Sequence, residues 1–234
     1  MSLLNNSTKS IARLLACLML VQMILGIILN FYFLKPILRY DGSVGTQELI
    51  YILGSATLVA LIISSLNLVF GLLLPKDRVS RQSGLFITLI ALAAVGIALS
   101  TVEYAKLSEY VVFLTGGYLD VGSSNETFES LKKLLATGRN EAHFFSIFIS
   151  SLSLLFFYGL VLREKLLPTY LASFAVFSVT LQLIAVGHTF FELSIPTLIQ
   201  APIALTQLIV PIYLLVAGFK CDSHLVNEQL EKAS

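Results

Sequence analysis

Six long apolar stretches run through the 234-residue chain, at 11–34, 49–74, 84–104, 142–162, 169–193 and 197–219. At 1.5 Å of rise per residue, each is long enough to cross a hydrocarbon core of ~30 Å. That constrains the fold more than any other feature. A backbone in lipid satisfies its own hydrogen bonds only as helices or as a closed barrel. Runs this long, without alternation of apolar and polar residues, specify helices. The expected fold is an all-α bundle of six transmembrane helices.

Composition points the same way. Charged residues make up 12% of the chain, against about 25% in an average soluble domain. The mean hydropathy is +0.87. A net charge of +1 leaves no basic stripe to neutralise phosphates, so nucleic acid is not an expected partner. The bilayer is, and a membrane protein partner or a second copy of the chain is compatible with the sequence. Lys9 and Arg13 before the first stretch suggest a secretory signal. That stretch exceeds the 7–15 residues of such a segment and ends in Asn30-Phe31-Tyr32-Phe33 without a small-residue cleavage site, so it reads as a retained span. Cys17 and Cys221 fall near helix ends on the expected cytoplasmic side, where a disulfide is not expected.

Breakers separate the spans: Lys35-Pro36, Pro75-Lys76-Asp77, Pro168 and the turn Ser194-Ile195-Pro196. With the N-terminus inside, the cytoplasmic segments carry Lys9, Arg13, Lys76, Arg78, Arg81, Arg163, Lys165, Lys220 and Lys232. The outer segments carry Lys35, Arg39, Lys106, Lys132, Lys133 and Arg139. The short loops therefore favour an N-in/C-in orientation. The longest connection joins spans 3 and 4. Within it, Phe128, Leu131, Leu134 and Leu135 recur at the helical period, and Ser123 with Glu126 fits a capping box. A short amphipathic helix is expected there, on the outer surface or over the bundle.

No ionisable residue lies at the centre of a span, which argues against a pump or carrier built on midplane charge. The ionisable groups gather instead at one depth. Glu103 stands 19 residues after Gly84, and His188 19 residues after Thr169, each about 28 Å along its helix. Glu192 follows His188 at i+4, and Glu141 and His143 open span 4 from the outer side. These groups are expected near the outer interface. Three uses of them stay open: water-facing helix ends, a head-group or small-ligand site, and a metal or haem site. If a metal binds, its ligands on this reading are His143, His188 and Glu192, since imidazole and carboxylate suit zinc or iron. Two histidines on neighbouring helices also suit haem.

A second polar seam runs through the last span. Gln200 and Gln207 lie two turns apart on one face, and Pro211 leaves the Gln207 carbonyl without its helical donor. Gln182 and Asn67 are also buried by depth, and such amides bond between helices. Gly54, Ser55, Ser64 and Ser65 in span 2, with Ala91, Ala93, Ala94, Gly96 and Ala98 in span 3, are expected to let helices approach closely.

Taken in order, several segments resemble a known family. They are Ser10-Ile11-Ala12-Arg13 before span 1, Glu141-Ala142-His143 at the start of span 4, and Leu166-Leu167-Pro168-Thr169-Tyr170-Leu171-Ala172 at the start of span 5. In the last span they are Ala201-Pro202, Gln207 and Tyr213-Leu214-Leu215-Val216-Ala217-Gly218. With these the chain resembles the bacterial integral membrane family called domain of unknown function 4386. The resemblance implies a multi-pass protein of the bacterial inner membrane and supplies no activity. Members often carry an arginine inside span 3, where this chain has Leu92-Ala93-Ala94, and a glutamate in the last span, where it has Gln207. If those groups pair in the family, this chain has lost both together.

The leading functional reading is a membrane protein that binds a small or lipidic ligand near the outer leaflet through Glu103, His143, His188, Glu192 and Gln207. A structural subunit without a ligand and an intramembrane metal or haem protein are the alternatives. No catalytic residue is assigned.

Overall fold

The computed structural model describes residues 2–40, 44–116, 125–194 and 197–220. The regular elements among these residues are all helices, with no strand among them. Six helices fall on the six apolar stretches: α1 (Thr8–Leu38), α2 (Thr46–Leu72), α3 (Lys76–Leu114), α4 (Glu126–Arg163), α5 (Thr169–Phe191) and α6 (Leu198–Ala217). Each is long and apolar enough to cross a membrane, so by length and composition the chain is a multi-pass membrane protein. Its outer face agrees, with large apolar side chains such as Leu58, Ile87, Tyr170 and Val216 left exposed.

Each helix packs on its neighbours in sequence, and α1 closes a ring against α6. At one end, here called proximal, the start of α1 meets the end of α6. Arg13 Nε–H donates to the Leu215 carbonyl at 3.3 Å, and Gly218 lies against Lys9. The α4–α5 turn shares this end, where the Lys220 amide donates to the Leu166 carbonyl at 2.8 Å. Gly218 has φ +76°, a conformation that a side chain disfavours, and it turns the chain out of α6.

Two apolar clusters hold the bundle. The proximal cluster draws on all six helices, with Leu15, Phe70, Leu89, Tyr158, Ala175 and Leu214 among its members. The distal cluster is built by α1, α2 and α3, around Leu29, Leu49, Ala60, Tyr104 and Leu107, with Leu135 and Ala136 of α4 packed against it; α5 and α6 contribute nothing to it. The distal half is therefore less filled on the α5–α6 side.

α3 and α4 form the tightest pair. Ala93, Gly96, Ser100, Glu103, Leu107 and Tyr110 are buried at steps of three and four, one stripe of a helix. Small residues on α4 face it: a Cβ on Gly96 would meet Ser150 Oγ at 3.2 Å. Of the small residues expected to pack, Ala93 and Gly96 do so. Gly54, Ser55, Ala91, Ala94 and Ala98 are exposed, and nothing stands within 4 Å of a Cβ on Gly54. In a lipid-facing position a small residue is simply one more apolar surface.

The expected short helix between spans 3 and 4 is not a separate element. Regular helix runs unbroken from Asn125 to Arg163, 39 residues, or about 58 Å. The segment Thr137-Gly138-Arg139-Asn140 contains no proline, and a lone glycine is tolerated inside a helix. The amphipathic part lies along α3, where the Phe128 ring stacks on Phe113 at 4.8 Å. Ser123 of the expected capping box, the C-terminal Cys221 and Lys232, and the turn residues Ile195 and Pro196 lie outside the described residues.

α1 holds one irregularity. Residues Leu29–Leu34 form a widened π turn, ending two residues before Pro36. In an α register the Pro36 ring would crowd the carbonyl of Tyr32, and the wider turn removes that clash.

Candidate functional site

Glu103 stands on the buried stripe of α3, and both its neighbours come from α4. Arg139 and His143 are four residues apart and so share one face of that helix. The Nδ1–H of His143 donates to Glu103 Oε1 at 2.7 Å. Arg139 Nη2 lies 3.6 Å from the same oxygen. Glu103 and Arg139 are each only 5% exposed. Their charges oppose, which is the condition for keeping two such groups out of water. Arg139 Nη1 also donates to Asn140 Oδ1 at 3.2 Å, while its buried Nε has no partner among the described residues.

The carboxylate accepts and does not donate, so the Nδ1 of His143 carries the proton. In the neutral ring that leaves Nε2 as an acceptor. Glu103 Oε2 has no hydrogen bond among the described residues, because both neighbours converge on Oε1.

Glu103 and His143 line a partly open cavity of about 1040 Å³ among the helices. Arg139 does not line it and supports Glu103 from behind. The cavity wall also carries amides: Gln182 from α5, Gln200 and Gln207 from α6, and Gln22 with Asn67 between α1 and α2. The last two are tied together, since Gln22 Nε2–H donates to Asn67 Oδ1 at 2.9 Å and to the Ile63 carbonyl at 3.0 Å. The α6 amides make no hydrogen bond among the described residues and offer both a donor and an acceptor.

The five residues singled out in the sequence separate into two groups. Glu103, His143 and Gln207 line the same cavity. His188 and Glu192 do not. α5 ends its regular helix at Gly187 and tightens into the 3-10 turn His188–Phe191, so the two residues do not share an α-helical face. Glu192 is exposed and caps that turn at φ 57°. Phe190 pins the turn against α4, its ring 5.1 Å from Phe145 and 5.4 Å from Phe148. His188 donates from Nδ1 to the Ile184 carbonyl at 2.7 Å, satisfying the end of its own helix. The set His143, His188 and Glu192 is therefore not assembled, and no group of three His, Cys, Asp or Glu side chains suited to a metal occurs among the described residues. Glu141 is exposed and takes no part.

Arg139 is the residue that sequence reasoning missed. Counted as a charge of the outer connection, it lies in fact within a continuous helix, one turn before His143. That spacing was the available signal.

No protein-family model matches the chain, and neither a curated protein nor a solved structure matches it.

Proposed function

We propose that this chain binds a small or lipidic ligand inside the membrane bundle, in the cavity that Glu103 and His143 line. One observation carries the reading. Among the described residues, a buried carboxylate keeps one oxygen unbonded at the wall of a large cavity, and amides of α5 and α6 without a hydrogen-bond partner line the same space. A purely structural ion pair gains nothing from such a space, because native interiors are close-packed and buried polar groups are normally satisfied. The lining also matches the usual composition of a ligand site, mostly apolar with a few convergent polar groups.

The distal end, which carries the cluster, faces outside the cell on this reading. The short proximal loops hold Lys76, Arg78, Arg81, Arg163 and Lys165, and basic loops stay in the cytoplasm. The ligand then meets the protein from the outer leaflet, and the host is the bacterial inner membrane if the family resemblance holds.

The test is retention of ligand. Protein extracted in nanodiscs and examined by native mass spectrometry is expected to carry a bound molecule of defined mass. Gln207→Leu and His143→Ala are expected to reduce that adduct at least tenfold, whereas Glu192→Ala is expected to leave it unchanged. Equal retention by all three variants would refute the site.

A further inference from the structure

The cavity has a side as well as a polar floor. α1 and α6 touch at the proximal end, where Lys9 and Arg13 lie against Gly218 and Leu215. Ile27 stands 18 residues beyond Lys9 on regular helix, which is five turns, so it continues the same flank, and Phe31 follows it inside the π turn. There the flank is uncovered: Ile27 is 53% exposed and Phe31 67% exposed. Both also line the cavity, together with Ala204 and Gln207 of α6. The distal apolar cluster contains no residue of α6. The two helices thus meet at one end and part at the other, and the space between them joins the cavity to the membrane plane.

Charge limits what enters. Glu103 is already neutralised by Arg139 behind it, with His143 donating from Nδ1. A cationic or anionic head group would bring an uncompensated charge into a low-dielectric site, which is strongly unfavourable. A head group with hydroxyls requires no counter-charge. Its donors suit the open Glu103 Oε2, and its oxygens accept from the amides of Gln182, Gln200 and Gln207.

We propose that the cavity takes a membrane amphiphile with an uncharged, hydroxyl-bearing head group, which enters sideways between the distal halves of α1 and α6. This inference rests on the ligand-binding reading above. The head group lies against Glu103 and His143, and the chain leaves past Ile27 and Phe31.

The chain contains no tryptophan, so Phe31→Trp creates a single fluorescent reporter at the opening. Ile87→Trp, on the exposed face of α3, is the control. In phosphatidylcholine vesicles, a monoacylglycerol with a brominated chain is expected to quench the Phe31→Trp signal saturably. The control is expected to follow the bulk mole fraction. Adding Gln207→Leu to the reporter is expected to raise the half-saturating mole fraction at least tenfold. Brominated alkylammonium and alkyl phosphate of equal chain length are expected to quench as the control does. If either charged probe saturates as well, the head-group class is wrong while ligand binding stands. If free glycerol abolishes saturation, the ligand is a soluble polyol and sideways entry is wrong. If no amphiphile saturates on a folded reporter, and glycerol does not bind either, both the inference and the ligand-binding reading fall.

Discussion

Removing either charge of the buried pair is expected to destabilise the bundle unequally. Arg139 Nη2 and Glu103 Oε1 are 3.6 Å apart. At an effective dielectric constant of 20, their attraction is about 4.6 kcal/mol. Glu103→Gln deletes it and strands a guanidinium that has no other carboxylate in contact among the described residues, so the cost is about 3–5 kcal/mol. Arg139→Met strands the carboxylate instead, but His143 still donates to it at 2.7 Å. A hydrogen bond to a charged group offsets about 1.5–3 kcal/mol, which leaves a cost near ~2 kcal/mol. The double variant holds no charge, and the amide oxygen that replaces the carboxylate can still accept from His143; its cost is expected to be about 1 kcal/mol, the net worth of the Arg139–Asn140 hydrogen bond lost with the guanidinium. The coupling between the two sites is then about 4–6 kcal/mol, well above the ~0.5 kcal/mol of independent sites. Steric-trap unfolding in bicelles reads these differences directly. Single variants that each cost less than about 0.5 kcal/mol, with an additive double variant, would show that the pair is solvated and that the electrostatic argument is wrong.

Other outcomes follow from local geometry. Gly96→Val should cost about 1–3 kcal/mol, because its branches must displace Ser150 across the α3–α4 seam, whereas Gly54→Ala should be neutral or stabilising; thermal unfolding in detergent compares them. Gly218→Ala should cost about 1–2 kcal/mol in the same assay, from its positive φ and the Lys9 side chain 3.3 Å from the new methyl. Replacing Gln22 or Asn67 by Leu should cost about 0.6–1.7 kcal/mol, and a double-mutant cycle should show the two losses coupled. For orientation, a single cysteine at Lys133 should react with an impermeant maleimide on intact cells, while one at Lys76 should react only after lysis; the reverse pattern would overturn the N-in assignment.

The sequence was most readable where lipid leaves the chain no choice. Each apolar stretch had to be a helix, and counting 1.5 Å per residue placed Glu103 and His143 at one height, where they meet at 2.7 Å. The same ruler failed at His188 and Glu192, because it assumed that α5 stays regular. The turn after Gly187 is set by Phe190 packing onto α4, a contact between distant residues that no local spacing encodes. Arg139 was hidden for another reason. Hydropathy marks where a helix becomes greasy and not where it starts, so a polar helical turn continuous with α4 looked like a loop. Small residues misled as well: Gly54 and Gly96 look alike in sequence, yet one faces outward and the other meets a serine.

The α3–α4 seam is built from small residues over its middle stretch. There Gly96 and Ser100 on one side and Ser146 and Ser150 on the other are small and nearly interchangeable, so this stretch by itself does little to resist a shift of α4 by a whole turn, about 5.4 Å. Such a slip sets Glu103 against Ile147 in one direction, stranding both charges, and in the other puts Arg139 in the place of His143 and breaks the bond to the imidazole. The one ionic rung therefore acts as an index mark on a sliding scale. It decides which turn of α4 stands opposite which turn of α3, and with that where the cavity wall begins.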